Sequence, residues 1–184
     1  GGFAHLATLV KRLKASRPGA LLLDGGDTWQ GSGTSLWTQG QDMVDACKLL
    51  GVDVMTGHWE FTLGMERVQN IVEGDFAGRV DFVAQNVKTA DFQDPVFDPY
   101  VVRELSGRGG KVTVAIIGQA FPYTPIAHPA DKFFDDAIQE TLAHANSIAE
   151  KIRTLGRTPT LRVALSLTGG LKAWREASQP VVKS

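Results

Sequence analysis

Asp27 and His58 are the two residues of this chain whose types and positions best suit metal chemistry. Each closes a similar segment. Leu21-Leu22-Leu23-Asp24-Gly25-Gly26-Asp27-Thr28 is an apolar run that ends in a carboxylate pair around two glycines. Val52-Asp53-Val54-Met55-Thr56-Gly57 is a second run, followed at once by His58-Trp59-Glu60. A short apolar run reads as a buried strand, and glycine lets the chain turn sharply where it ends. In open α/β sheets the carboxyl ends of the strands line the crevice where ligands bind. Two such ends side by side would bring Asp27 and His58 together. A carboxylate with an imidazole suits manganese, zinc or iron in a hydrolytic site. The single Cys47 excludes a zinc cluster of the Cys/His type.

Each residue also has a plainer reading. Asp27 equally suits the cap of a turn, and Asp24, at the strand end itself, suits a structural role. A lone His is more often a satisfied polar residue, but Glu60 stands near enough to orient the second ring nitrogen of His58, as carboxylates do for ligating histidines. Asn86, at the end of a third strand, suits contact with a substrate. His5 and His144 sit in helical patterns, and His128 sits in a proline-rich stretch; none is taken as a ligand. Trp29, Trp37 and Trp59 fall in or beside the two loops and suggest a lined pocket or a partner surface. There is no G-x-S-x-G elbow for a nucleophilic serine and no G-x-G-x-x-G for a dinucleotide.

The elements that must position these residues alternate between helix and strand. Phe3, Leu6, Leu9, Val10 and Leu13 recur at helical spacing over 3–16, with Lys11, Arg12 and Lys14 on the other side. A strand follows at 20–23, then a long loop over 25–40. The spacing predicts a helix over 42–50 with Met43, Ala46, Cys47 and Leu50 on one face, a strand over 52–56, a helix over 64–73 and a strand over 80–84. Residues 88–99 read as a loop. Strands over 100–105 and 111–117 are joined by Ser106-Gly107-Arg108-Gly109-Gly110. Residues 119–129 hold three prolines and read as irregular; 135–155 reads as a long helix and 161–167 as a last strand. The alternation predicts an α/β fold with a largely parallel sheet.

Composition narrows the function. The 184 residues carry a formal net charge of −1, so no basic field draws nucleic acid. No apolar run approaches the roughly 18 residues of a membrane span. One cysteine excludes an internal disulfide and says nothing of compartment.

The order Asp24-Gly25-Gly26-Asp27-Thr28-Trp29-Gln30-Gly31, then Thr56-Gly57-His58-Trp59-Glu60-Phe61, then Gln85-Asn86 resembles the 5′-nucleotidase branch of the metallophosphoesterases. That branch reads G-D-x-x-Q-G, then G-N-H-E-F-D, then A-N at a strand end. The resemblance implies a fragment of a four-layer α/β/β/α sandwich around two divalent metal ions. It covers 1–166 as part of an N-terminal domain and leaves 167–184 as an unassigned tail that reads as non-native. It places Asp27 and His58 as metal ligands, with Thr28, Gln30, Glu60 and Asn86 contacting substrate or supporting the ligands.

The departures from that pattern are specific. His58 stands where the family has its ligating Asn, Trp59 where it has the catalytic His, and Thr62 where it has the partner Asp. The paired loss of the acid dyad resembles the SoxB family of thiosulfohydrolases in bacterial sulfur oxidation, as do Gly31-Ser32-Gly33-Thr34-Ser35-Leu36-Trp37 and Gly118-Gln119-Ala120-Phe121-Pro122-Tyr123-Thr124. That resemblance implies a periplasmic enzyme with two metal ions, manganese first and zinc or iron as alternatives. It would release sulfate from an S-sulfonated cysteine on a sulfur carrier protein. Trp59 would take the catalytic position and pack against the carrier's arm. A nucleotidase-type phosphoesterase and a metal-free binding module are the alternatives. The family's Asp-x-His pair would precede Gly1, and Ser166-Leu167-Thr168-Gly169-Gly170 lacks the expected His. The expectation is therefore a partial sequence, inactive on its own.

Overall fold

The computed structural model describes residues 2–89, 91–107, 110–121 and 124, and the backbone of 161–165. Two three-stranded sheets face each other. The first holds β1 (Leu23–Asp24), β2 (Val54–Met55) and β3 (Asp81–Phe82), all parallel, in that order. The second holds β4 (Tyr100–Gly107), β5 (Gly110–Gly118) and β6 (Leu161–Leu165). β4 and β5 form an antiparallel hairpin, and β6 lies parallel to β5. The expected, largely parallel arrangement thus holds for every pairing but β4 with β5. The glycines around 107–110 allow a direct reversal, which forces an antiparallel pair.

Strand alternation sorts the core. Val54 points between the sheets, where it meets Leu21, Leu23, Val83, Val101 and Val114. Its neighbour Met55 points to the other face of the first sheet. There α3 (Gln41–Leu50) contributes Val44 and Cys47, α4 (Met65–Asn70) contributes Val68, and a π-helical turn over Ile71–Asp75 contributes Ile71. This gives one helical layer and two β layers. The predicted helix over 135–155 and the boundary at 166 lie outside the described residues.

Three local expectations change. First, α1 (Phe3–Ser16) forms where expected but is turned about its axis. Val10 is its buried residue, whereas Leu6, Leu9 and Leu13 are 41%, 50% and 43% exposed. Lys14, expected in solvent, lies on the inward side: its ammonium donates to Asp53 at 2.8 Å and to the Gly51 carbonyl at 2.9 Å. Second, the 25–40 loop contains α2 (Gly33–Trp37), started by a reciprocal cap between Ser32 and Ser35. Third, a 3₁₀ turn over Trp59–Leu63 follows β2, and the helix expected over 64–73 forms but is π-wound in its second half, over Ile71–Asp75.

The two sheets are joined at one end. Ala84 N–H donates to the Asp98 carbonyl at 2.9 Å, Gly118 N–H to Pro99 at 3.2 Å and Gln85 N–H to Gly118 at 3.0 Å. A side chain at Gly118 would strike the carbonyl of Val83, so only glycine lets β5 close on the end of β3. This join brings the segment after β5 to the same edge as the ends of β1 and β2.

Candidate metal centre

Asp27 and His58 come from the ends of adjacent strands, as the sequence predicts. β1 and β2 pair in parallel register, Leu23 opposite Val54 and Asp24 opposite Met55. Gly26, at φ +88°, lets the first loop lie directly on the second: a Cβ there would sit 2.8 Å from both the His58 nitrogen and the Thr56 carbonyl oxygen. Asp27 itself has φ +62°, in the left-handed region where Asp is tolerated better than most residues. Strained backbone of this kind gathers at functional sites.

His58 Nδ1 stands 4.0 Å from Asp27 Oδ2. That gap is too long for a hydrogen bond. Two donors on one cation, at about 2.0–2.2 Å each in a tetrahedral arrangement, stand about 3.3–3.6 Å apart, so the pair lies about half an ångström wider than a shared ion would draw it. The His58 side chain is buried, and that of Asp27 is 43% exposed. Among the described residues no third His, Cys, Asp or Glu joins them in a metal-holding group. The pair therefore fits part of a metal's first sphere. A cavity of about 450 Å³ reaches Asp27 between α1 and α3, lined by Phe3, Leu6, Leu22, Asp24, Met43 and Leu50 among others. His58 does not line it.

Glu60 holds the two loops together. Its carboxylate is fully buried. One oxygen accepts from Thr28 N–H at 2.6 Å and Trp29 N–H at 3.3 Å, and the other from His58 N–H at 2.6 Å. The expectation that Glu60 orients the His58 ring is thus corrected: the 3₁₀ turn aims it at backbone N–H groups left open where the strands end. Thr28 also donates its hydroxyl to Asp24 at 2.9 Å. Asp24 is structural, accepting from Gly26 N–H at 3.0 Å as well, and burial pushes its carboxyl above the usual range. Cys47 lies 3.9 Å from Asp24, and burial raises its thiol to about 12.

Gln30 donates to the carbonyl of Trp59 at 2.9 Å and to the hydroxyl of Thr62. Thr62 in turn donates to the Trp59 carbonyl at 2.6 Å. These two polar side chains thus bind the 3₁₀ turn. Asn86 takes the supporting one of its two expected roles. Its amide donates to the Ala120 carbonyl at 3.0 Å and accepts from Ala120 N–H at 2.9 Å, so it supports a neighbouring segment instead of facing a substrate.

The tryptophans separate. Trp29, expected to line a pocket or partner surface, is fully buried and packs on Phe76 at 5.6 Å and Phe82 at 6.2 Å between ring centroids. Its loop folds back over the first sheet, where a large apolar ring gains most from burial. Trp37 is 81% exposed. Trp59 is half-buried, 6.1 Å from the His58 ring and 6.3 Å from Phe121. Phe121 is the residue that the pattern of polar candidates misses. Its ring stacks on His58 at 4.1 Å and 15°. Its sequence signals are its place in the Gly118–Thr124 segment of the family resemblance and its position three residues past a strand-ending glycine. His128, His144 and Ser166 lie outside the described residues.

No family model matches the chain. Among curated proteins it is 28% identical over 161 residues to snake venom 5′-nucleotidase of Gloydius brevicauda, covering 85% of this chain and 26% of that protein. It is 30% identical over 145 residues to the 5′-nucleotidase of Rattus norvegicus, covering 75% of this chain and 24% of that protein. Among solved structures it superposes on the sulfate thiohydrolase SoxB of Thermus thermophilus in complex with glycerol with a TM-score of 0.78 and 34% identity, over 92% of this chain and 30% of that one. The calcineurin-like phosphoesterase YfkN of Bacillus subtilis gives a TM-score of 0.77 at 24% identity, over 93% of this chain and 55% of that one. The chain spans less than a third of the length of the curated 5′-nucleotidases it matches. Its fold is that of the calcineurin-like phosphoesterases and 5′-nucleotidases, an α/β fragment of that architecture.

Proposed function

We propose that this chain is part of a metal-dependent hydrolase that releases sulfate from an S-sulfonated cysteine on a sulfur carrier protein, as in the SoxB family. One observation carries the reading. In the turn after β2, the family's acid pair is replaced by Trp59 and Thr62, and the Thr62 hydroxyl is spent on the Trp59 carbonyl. Neither side chain can give a proton to a leaving alkoxide. A thiolate leaving group needs far less help, because a cysteine thiol ionises near 8.5. The chemistry balances as RS–SO₃⁻ + H₂O → RSH + SO₄²⁻ + H⁺: water attacks the sulfonate sulfur, the S–S bond breaks, and the sulfur of the cysteine leaves with its electron pair.

Asp27 and His58 would hold one of two divalent ions, manganese first with zinc or iron as alternatives. Such ions activate water and stabilise the oxyanion. The chain's own residues do the rest: Glu60 sets the spacing of the two ligands, while Trp59 offers an apolar wall to the carrier's cysteine arm. Periplasmic location belongs to the same proposal. Among the described residues no helix is long and apolar enough to cross a membrane.

The curated relatives favour a second reading, hydrolysis of a nucleotide monoester, because they are 5′-nucleotidases. The whole protein, loaded with Mn²⁺, separates the two when given AMP and an S-sulfonated carrier. Sulfate release from the carrier with no phosphate from AMP supports the proposal, and W59A slows that release. Phosphate from AMP with an inert carrier overturns it in favour of the nucleotidase. A whole protein that binds no metal and turns over neither is the binding module instead.

A further inference from the structure

The segment that follows β5 is stitched to the ends of β2 and β3. On one side Gln85 donates through its amide to Gln119 at 2.7 Å, and Asn86 pairs with both backbone groups of Ala120. On the other, Phe121 N–H donates to the Gly57 carbonyl at 3.1 Å, and the Thr124 hydroxyl donates to the His58 carbonyl at 3.1 Å. Asn86 and Ala120 are buried, so their paired amides act as a rigid two-point clamp. The result is a phenyl ring laid nearly parallel on the imidazole, at 4.1 Å and 15°. Stacking at this distance removes the freedom of His58 to swing about its side-chain bonds. Its Nδ1 is then held toward Asp27, 4.0 Å away.

We propose that Phe121 is a positioning residue for His58, and that Asn86 acts through it. The second sheet, which supplies neither ligand, thereby fixes the angle at which His58 meets its metal. This rests on the reading of Asp27 and His58 as a metal pair. Groups that orient a ligating histidine are commonly worth about 10–100-fold in metal affinity. Here the orienting group is an aromatic face.

The test compares wild type, F121L, F121W and H58A in the full chain, with two readouts. The first is the chemical shift of the His58 ring protons in metal-free protein, identified by their loss in H58A. The second is Mn²⁺ affinity from the free-ion EPR signal. Phe121 above the imidazole shields those protons, so F121L moves them downfield and weakens Mn²⁺ binding about 10–100-fold. F121W restores both by supplying a ring. If F121L does not fold, N86S releases Ala120 and asks the same question with the same two results. If the ring-proton shifts do not move in F121L, or its affinity stays within about twofold of wild type, while H58A abolishes binding, the positioning role is wrong and the metal pair stands. If H58A binds Mn²⁺ as wild type does, the metal pair itself is wrong, and this inference falls with it.

Discussion

Removing the Glu60 carboxylate should separate the two halves of the site. The group is fully buried and accepts three backbone N–H donors, at 2.6, 3.3 and 2.6 Å. E60A leaves those three donors without their acceptor. Each buried unsatisfied donor costs about 1–3 kcal/mol, and the 3.3 Å contact is the weakest of the three, so about 3–5 kcal/mol is expected in total. For a chain of this size that lowers the melting temperature by about 6–20 °C. E60Q keeps the shape and one acceptor oxygen but turns an NH₂ group toward a donor; it should lose about half as much. Thermal and urea unfolding of the three proteins give the numbers. Mn²⁺ titration of the folded variants asks whether the loops have parted, and E60Q should bind more weakly although it touches neither ligand atom. A melting temperature for E60A within about 2 °C of wild type would refute the clamp.

Gly26 permits a contact that no side chain can, so G26A should cost at least about 2 kcal/mol from strain at positive φ and from the clash with His58, measured by urea unfolding; a stability equal to wild type would mean that the loops do not touch. Cys47, with its thiol raised to about 12, should react with a disulfide reagent at pH 8 at least about 100-fold more slowly in the native chain than in the unfolded one. Asp24 gives a pH dependence. Burial raises its folded value above the 3.8 of the free group, so the folded state binds more protons in that window, and stability falls as pH rises through it. D24N lacks this loss, so its urea midpoint should gain on wild type from pH 4 toward neutrality; a fall relative to wild type over that range would reverse the sign.

Much of the site was legible because strand ends announce themselves. Leu21-Leu22-Leu23 and Val52 to Met55 are short apolar runs closed by glycine, and parallel pairing of neighbouring strands does bring Asp27 and His58 to one edge. The supporting shell was less legible, because its contacts cross long stretches of sequence. Asn86 reads as a free amide until Ala120 is found 34 residues on and in register with it. Phe121 has no polar signature at all. Trp29 looks like a loop residue and is core, since the loop folds back over the sheet. The inward side of α1 carries Lys14, which meets Asp53 in a long-range ion pair that the helix's own periodicity cannot encode. The α2 helix is too short for periodicity to show, and only its serine cap marks it.

The central claim is that aspartate 27 and histidine 58 share a cation. The direct measurement is Mn²⁺ binding by EPR in wild type, D27N and H58A under identical buffer. The account predicts that each substitution alone removes most of the binding and that the double substitution adds little, as expected for two donors to one ion. Undiminished binding in both single variants would contradict it.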